Sequence, residues 1–528
     1  MTMFTKEQLD SCSKDQIIDM FMSMQNSFAV LEERIAAMNA NTYGHKTEKL
    51  LNNSDQICIF NELEAVKDGT DYNEGISEEE TETITYTRKK QKGKREFDLS
   101  AFPKVEITHE LSEEELHEAF GDTGYKRLPD QIYSKLEVEP AKYWVAEHHI
   151  AVYAGKNEDR IVKAKHPVEL LNNSIASASV VAGILNGKYG NAMPLYRIEK
   201  EFDQNGIPIS RQDMANWVIR CSERYLSLVY DRMHELLLEE RVLQADETPA
   251  FVSKDGKPAG HKSEMWVYRT GEYNKKKPIV LYKWANGRSA DHPMEFLHGF
   301  KGYLECDGFS GYKRLDKEDD DISICCCWAH ARRSFSDAVK AYGKDSPGVQ
   351  DTLAYRALEK IAAIYHLDQQ FSGLPRKERQ KRRQAKVKPK VDEFFAWVKE
   401  HHYDTGLKDK TFTGFEYCIN QEKYLRMFLK DGDIPIDNSA TERAIRPFTV
   451  SRKTWKLIDT PSGADASAIM YSLVETAKAN NVKIYDYLKY LLEEIPMHMD
   501  DTSTDFIDSL LPWSEDLPNE IRKPVKTK

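Results

Sequence analysis

Residues 241–252 read RVLQADETPAFV, an apolar run, VLQA, that meets Asp246 and is followed by Glu247-Thr248-Pro249. That order predicts a first strand ending at Asp246, just before a proline. Working outward, EMWVYRTGEY (264–273) and PIVLYKWANG (278–287) are rich in the β-branched and aromatic residues that suit a pleated, half-buried surface. A short helical segment follows, then GYLECDGFSGY (302–312) and ISICCCWAH (322–330), each an apolar run closed by a turn or polar signal.

Three strands, a helix and two more strands are the opening order of a ribonuclease H-like sheet, so the expected class is α/β, a mixed sheet flanked by helices. Residues 345–430 are helical in character, and the chain returns at IPIDNSATERAIRPFTVSRKTW (434–455) before a terminal helical region. Three acids stand where such a sheet gathers them: Asp246 on the first strand, Asp307 after the fourth, and Glu442 on a later helix. Each has a plain local explanation. Asp246 is a strand-end aspartate before a proline, and Asp307-Gly308 is a turn dipeptide. Glu442 lies three residues after Ser439 in the spacing of a capping box. Their joint placement points elsewhere. Cleaving and rejoining phosphodiesters requires activating an attacking oxygen and stabilising a leaving one. Two Mg²⁺ or Mn²⁺ ions about 4 Å apart do both, and hard cations require carboxylate oxygens from separate elements.

At 528 residues the chain exceeds one ordinary hydrophobic core, and 40% apolar with 30% charged content fits a globular chain with a solvated surface. Neither an 18-residue apolar run nor a basic-then-apolar N-terminus is present, so a cytoplasmic protein without membrane contact is expected. The cysteines at 12, 58, 221, 306, 325, 326, 327 and 418 show no CxxC spacing, which argues for reduced thiols, a buried CCC strand and no structural zinc. Net charge is −11, yet charge is segregated. Acid dominates 62–82, and base dominates 88–95, 376–390 and the last residues. A nucleic-acid footprint needs a local basic stripe, and solvated linkers or helix faces are the competing reading of each run.

Ile17, Phe21, Met24, Phe28, Leu31, Ile35 and Met38 alternate spacings of 4 and 3, an a/d seam expected over 1–45 as a coiled-coil helix. Residues 46–100 read as a charged linker, 101–165 as a small mixed module, and 166–238 as helical. There LYRIEKEF (195–202) stops at Asn205-Gly206, and Ser210 is placed to cap RQDMANWVIRCSERYL (211–226). This is the pattern of a helix-turn-helix, with Arg211, Gln212 and Asn216 on the front of the recognition helix, or of an ordinary helical hairpin. The expected catalytic core is 239–340 with 431–480, interrupted by a helical insertion over 341–430 and followed by a C-terminal segment over 481–528. Arg443, Arg446 and Lys453 follow Glu442, and Arg446 is one turn on, in reach of a phosphate. Trp455 is a stacking platform for a displaced base or a core residue. His330, Arg332 and Arg333, in WAHARRSF, are further candidates to face DNA, with a structural role the alternative for the histidine.

At these residues the chain resembles the transposases of the insertion sequence 66 family, a group of DDE transposases. The similarity is carried by QADET (244–248), LECDGFSGY (304–312), CCWAHARRSF (326–335) and the long stretch from Asp437 to Asn481, DNSATERAIRPFTVSRKTWKLIDTPSGADASAIMYSLVETAKANN. YGHKTEKL (43–50), KVEITHEL (104–111), PLYRIEKEF (194–202) and ISRQDMANWV (209–218) fit the same layout, so the likeness runs along nearly the whole chain. The resemblance implies a coiled coil, a helix-turn-helix and a ribonuclease H-like core, and it assigns the metal-binding triad to Asp246, Asp307 and Glu442. It implies double-stranded DNA partners (terminal inverted repeats and target), a homodimer or higher oligomer on that DNA, and element-encoded accessory proteins. Many members carry a CxxC zinc finger before the helix-turn-helix. Here 110–149 contains no cysteine, so zinc is not carried over. A catalytically inactive DNA-binding relative and a structure-specific nuclease are the rival expectations.

Overall fold

The computed structural model describes residues 13–14, 112, 114–115, 117, 142–154, 161–258, 260–343, 346–404 and 409–524. The heptad seam over 17–38, the charged stretch over 45–100 and most of the module over 101–165 lie outside them. The chain divides into two compact units. One holds, among its described residues, an antiparallel hairpin of Val152–Ala154 with Ile161–Lys163. The other includes 168–523 and carries the central sheet.

That sheet has β1 (Val242–Ala250), β2 (Ser263–Thr270), β3 (Val280–Ala285), β4 (Gly302–Cys306) and β5 (Ile322–Cys326). Its order is β3-β2-β1-β4-β5; the pairs β1–β2 and β2–β3 are antiparallel, whereas β1–β4 and β4–β5 are parallel. This mixed sheet is compatible with the ribonuclease H-like expectation. Nearly every residue of β2 is buried, as both faces of a helix-covered sheet require. β1 departs from its sequence reading, because it does not end at Asp246. β2 pairs with it from Leu243↔Thr270 to Ala250↔Ser263, which holds the strand extended past the acid. Its parallel neighbour β4 stops at Gln244↔Glu305. Asp246 is therefore in mid-strand, but just beyond the parallel pairing, and Pro249 is tolerated where β1 has a neighbour on one side only.

Before the sheet come α1 (Ala178–Leu185), α2 (Leu195–Gln204), α3 (Arg211–Cys221) and α4 (Ser227–Leu238). Gly206, at φ +74°, turns the chain after α2, and Ser210 caps α3 by accepting the Asp213 N–H at 3.1 Å. α5 (Asp291–Phe296) joins β3 to β4, α6 (Ser310–Glu318) crosses from β4 to β5, and α7 (Trp328–Tyr342) leaves β5. Cys325 and Cys326 end β5 as a strand reading of CCC predicts, whereas Cys327 lies past it before α7; all three are buried free thiols whose pKa values burial pushes up.

Between α7 and the return of the chain stand α8 (Leu353–Gln369), α9 (Arg376–Arg382), α10 (Lys388–His401) and α11 (Lys410–Leu425). The basic run over 376–390 is neither a solvated face throughout nor a continuous exposed stripe. Arg383 is fully buried, grips Asp368 at 2.6 and 3.0 Å, and donates to the carbonyls of Phe428 and Ile434 at 2.9 and 2.7 Å. Arg376 and Arg241 converge on Asp431, each at 2.7 Å. These contacts pin 428–434, the approach to α12 (Ser439–Trp455). α13 (Pro461–Ala479) then covers the open edge of β3. Ser472 accepts the Tyr282 N–H at 2.7 Å and Thr476 the Val280 N–H at 3.0 Å, which closes an edge that would otherwise recruit another strand. α14 (Ile484–Glu494) follows. No helix among the described residues is long and apolar enough to cross a membrane.

Candidate active site

Asp246 projects from β1, where one backbone donor, the Glu247 N–H at 2.9 Å, satisfies it. Burial, and after it the neighbouring carboxylates of Glu247, Asp307 and Glu442, raise its pKa well above the ordinary carboxylate range. Asp307 and Glu442, the other two acids named from sequence, thus stand near enough to Asp246 to oppose its ionisation. Glu247, the next residue, has a side chain only 3% exposed. It accepts from Tyr312 at 3.0 Å and from the Arg288 guanidinium. Burial and Asp307 push Glu247 upward, offset by Arg288. Glu264, on β2, is raised to about 7 by burial and by Glu247.

Asp307 sits in the turn after β4, held by the Phe309 N–H at 2.8 Å. Its Gly308 is no hairpin glycine: a Cβ there would approach Tyr417 to 2.9 Å, so α11 packs where only hydrogen fits. Arg288 Nη2 lies 3.8 Å from Asp307 Oδ2.

Glu442 is in the first turn of α12, and the capping box that competed for it does not start at Ser439, which is already the first helical residue. Asn438, not Ser439, precedes the helix, and its buried side chain is used otherwise. Its amide donates to Ala245 O at 2.7 Å, while its carbonyl oxygen accepts from Gln244 at 3.1 Å and Thr441 at 2.7 Å. The helix start is thereby fastened to β1 beside Asp246. Tyr282 and Arg269 extend the attachment by donating to the carbonyls of Ala444 and Ala440. Glu442 has Arg333 Nη2 at 3.6 Å. His330, near the start of α7, is pushed down to about 4 by burial and Arg333, against the pull of Asp307 and Asp437. Its Nδ1 is buried without a partner, a sign of a neutral ring beside the acids.

The other candidates divide by element. Arg211, Gln212 and Asn216 are all exposed on α3, with Arg211 near the Tyr196 ring. Arg332 is half-buried on α7, and Arg446 is half-buried one turn beyond Glu442. Arg443 pairs outward with Glu272 at 3.0 Å. Lys453 is exposed, and Trp455 packs edge-on against Phe448 with ring centroids 5.6 Å apart. Sequence reasoning missed Glu247, Arg288 and Asn438. Only QADET offered a signal, as a second acid adjoining the first.

Carboxylate oxygens set on β1, in the turn after β4 and on α12 are the kind of donors a hard cation would take. Among the described residues no three such side chains are drawn close enough to hold an ion, so the acids would have to close upon one.

A mixed α/β sheet flanked by helices, with acids on its first strand, after its fourth and on a later helix, is compatible with a ribonuclease H-like class. The family model described as "Transposase IS66 family" matches residues 173–466, and that of the "IS66 C-terminal element" matches 472–513. The chain belongs to the IS66 transposase family. Among curated relatives it is similar to the uncharacterized protein y4qI of Sinorhizobium fredii (strain NBRC 101917 / NGR234), 30% identical over 72% of this chain and 70% of that protein. The uncharacterized protein y4jD of the same strain is 25% identical over 74% of this chain and 76% of its own length.

Proposed function

We propose that the chain is the transposase of a bacterial insertion sequence, cleaving DNA at the terminal inverted repeats of its element and joining the freed 3′ hydroxyl to target DNA. The observation that carries this is the placement of Asp246, a strand carboxylate set among Asp307 and Glu442 with a raised pKa, within a chain of this family. Asp246, Asp307 and Glu442 would hold two Mg²⁺ or Mn²⁺ ions, which when bound supply activation of the attacking oxygen and stabilisation of the leaving one. The chain's own contribution is to position: Asn438 fixes Glu442 against β1, and the Phe309 N–H fixes Asp307. Arg211, Gln212 and Asn216 are proposed to read the repeat, with phosphate contacts from Arg332, Arg333 and Lys453 supplying a salt-sensitive share of affinity. Pairing of two ends implies two or more copies on DNA, with accessory proteins of the element as further partners.

The test incubates the protein with Mg²⁺ and a duplex bearing the terminal repeat that flanks its gene. Cleavage and strand-transfer joints are expected, and Glu442→Gln should lower both by about a thousandfold or more while duplex binding persists. Equal cleavage by the variant would remove Glu442 from the site, and nicks without joints would make the protein a nuclease.

A further inference from the structure

Arg288 follows β3 at a turn made by Gly287, at φ +126°, and its guanidinium enters the acidic site. Three features restrain it. Nε and Nη2 both donate to Glu247 Oε1, so one edge of the fork is occupied. The guanidinium carbon lies 4.1 Å from the centre of the Phe309 ring, which sets the plane of the group. Glu247 is in turn fixed by Tyr312 at 3.0 Å.

The remaining edge is uncommitted. Nη2 is 3.8 Å from Asp307 Oδ2, outside hydrogen-bond distance, and Nη1 bonds to no described residue. The side chain is 48% exposed, in contrast to its 3% exposed anchor. A guanidinium serving only to neutralise Asp307 would close on it. One pinned by its far edge and stacked on a ring is preorganised to offer two N–H groups to an incoming planar or tetrahedral anion.

We propose that Arg288 binds a non-bridging oxygen of the DNA phosphodiester that is cleaved beside Asp307, and that Glu247 is the positioning residue that aims it. This rests on the transposase reading above. It gives the second acid of QADET a role distinct from metal binding. It also supplies positive charge at a site where three carboxylates, Glu247, Glu264 and Asp307, face the same guanidinium and would otherwise repel a phosphate.

The experiment uses the full chain and the duplex carrying the terminal repeat, with the cleaved phosphate first mapped by the wild-type protein in Mg²⁺. That duplex is then made with either stereoisomer of a neutral methylphosphonate at the mapped position. Affinities are measured by fluorescence anisotropy with Ca²⁺ in place of Mg²⁺. The methylphosphonate should weaken the wild type about tenfold, the size of a charge-assisted hydrogen bond. Arg288→Ala should be about tenfold weaker on the native duplex and less sensitive to the methylphosphonate than the wild type, with Arg288→Lys and Glu247→Gln between the two. A merely structural arginine would lose affinity for both duplexes alike, and that result overturns the assignment. Full methylphosphonate sensitivity in Glu247→Gln would remove the anchor alone. A wild type that cleaves nothing overturns the transposase reading itself, and this assignment falls with it.

Discussion

Asp246 is held by a single backbone donor and has Glu247, Asp307 and Glu442 as acidic neighbours, so burial and repulsion make its ionisation costly in the fold. Asp246→Asn removes the repulsion and keeps the shape. In a thermal melt without divalent ions the variant should be more stable, by on the order of 1 kcal/mol, while losing DNA cleavage. A lower melting temperature would show that the charge is paired in a way the present geometry does not display. Asp246 and Asp307 were legible as residues because an acid abutting an apolar run is costly without a reason. Glu442 was legible only in competition with a capping box at Ser439, and the resemblance around ERAIRP decided for it; in the structure Asn438, not Ser439, precedes the helix and bonds to Ala245 and Gln244. Arg288 was invisible for another cause. Its partner Glu247 is 41 residues away, and Gly-Arg-Ser reads as an ordinary solvated turn.

At the scale of elements, strands were legible where β-branched and aromatic residues crowd, but β1 ran four residues past its expected end at Asp246, to Ala250. Pairing decided that, and pairing is not written in the strand's own sequence. The basic run of the insertion shows the same limit. Charge density alone cannot separate Arg383, buried on Asp368, from Lys386, exposed three residues later. The two positions should behave differently in denaturant unfolding. Asp368→Asn leaves a buried guanidinium without its counter-ion and should cost about 3 kcal/mol or more, loosening the 428–434 segment it helps pin. Lys386→Ala should stay within about 0.5 kcal/mol of the wild type. A small effect of Asp368→Asn would mean that the carbonyls of Phe428, Asp431 and Ile434 alone suffice to hold Arg383.

For the whole molecule, a net charge of −11 coexists with an acid cluster that resists ionisation, and the two meet in the pH dependence of stability. Glu264 is the cleanest probe. Its ordinary pKa of 4.5 is raised to about 7 by burial and by Glu247, offset by Arg288, Lys262 and Arg452. The folded protein therefore binds a proton that the unfolded chain has released over that interval. Stability from this group is complete below about 4.5 and is lost as pH rises through about 7. His330 acts in the opposite sense, because its pKa is lowered to about 4, and it favours the fold as pH rises out of the acid range. The absolute stability curve mixes both. The difference between the wild type and Glu264→Gln does not, since His330 is common to the two proteins. That difference should shift in favour of the variant as pH is raised from about 4.5 through about 7, and level off above it. Chemical denaturation across that range, without divalent ions, measures it. A difference that is flat with pH, or that shifts toward the wild type, would mean that Glu264 ionises as an ordinary exposed glutamate, and that the acidic site ends at Glu247.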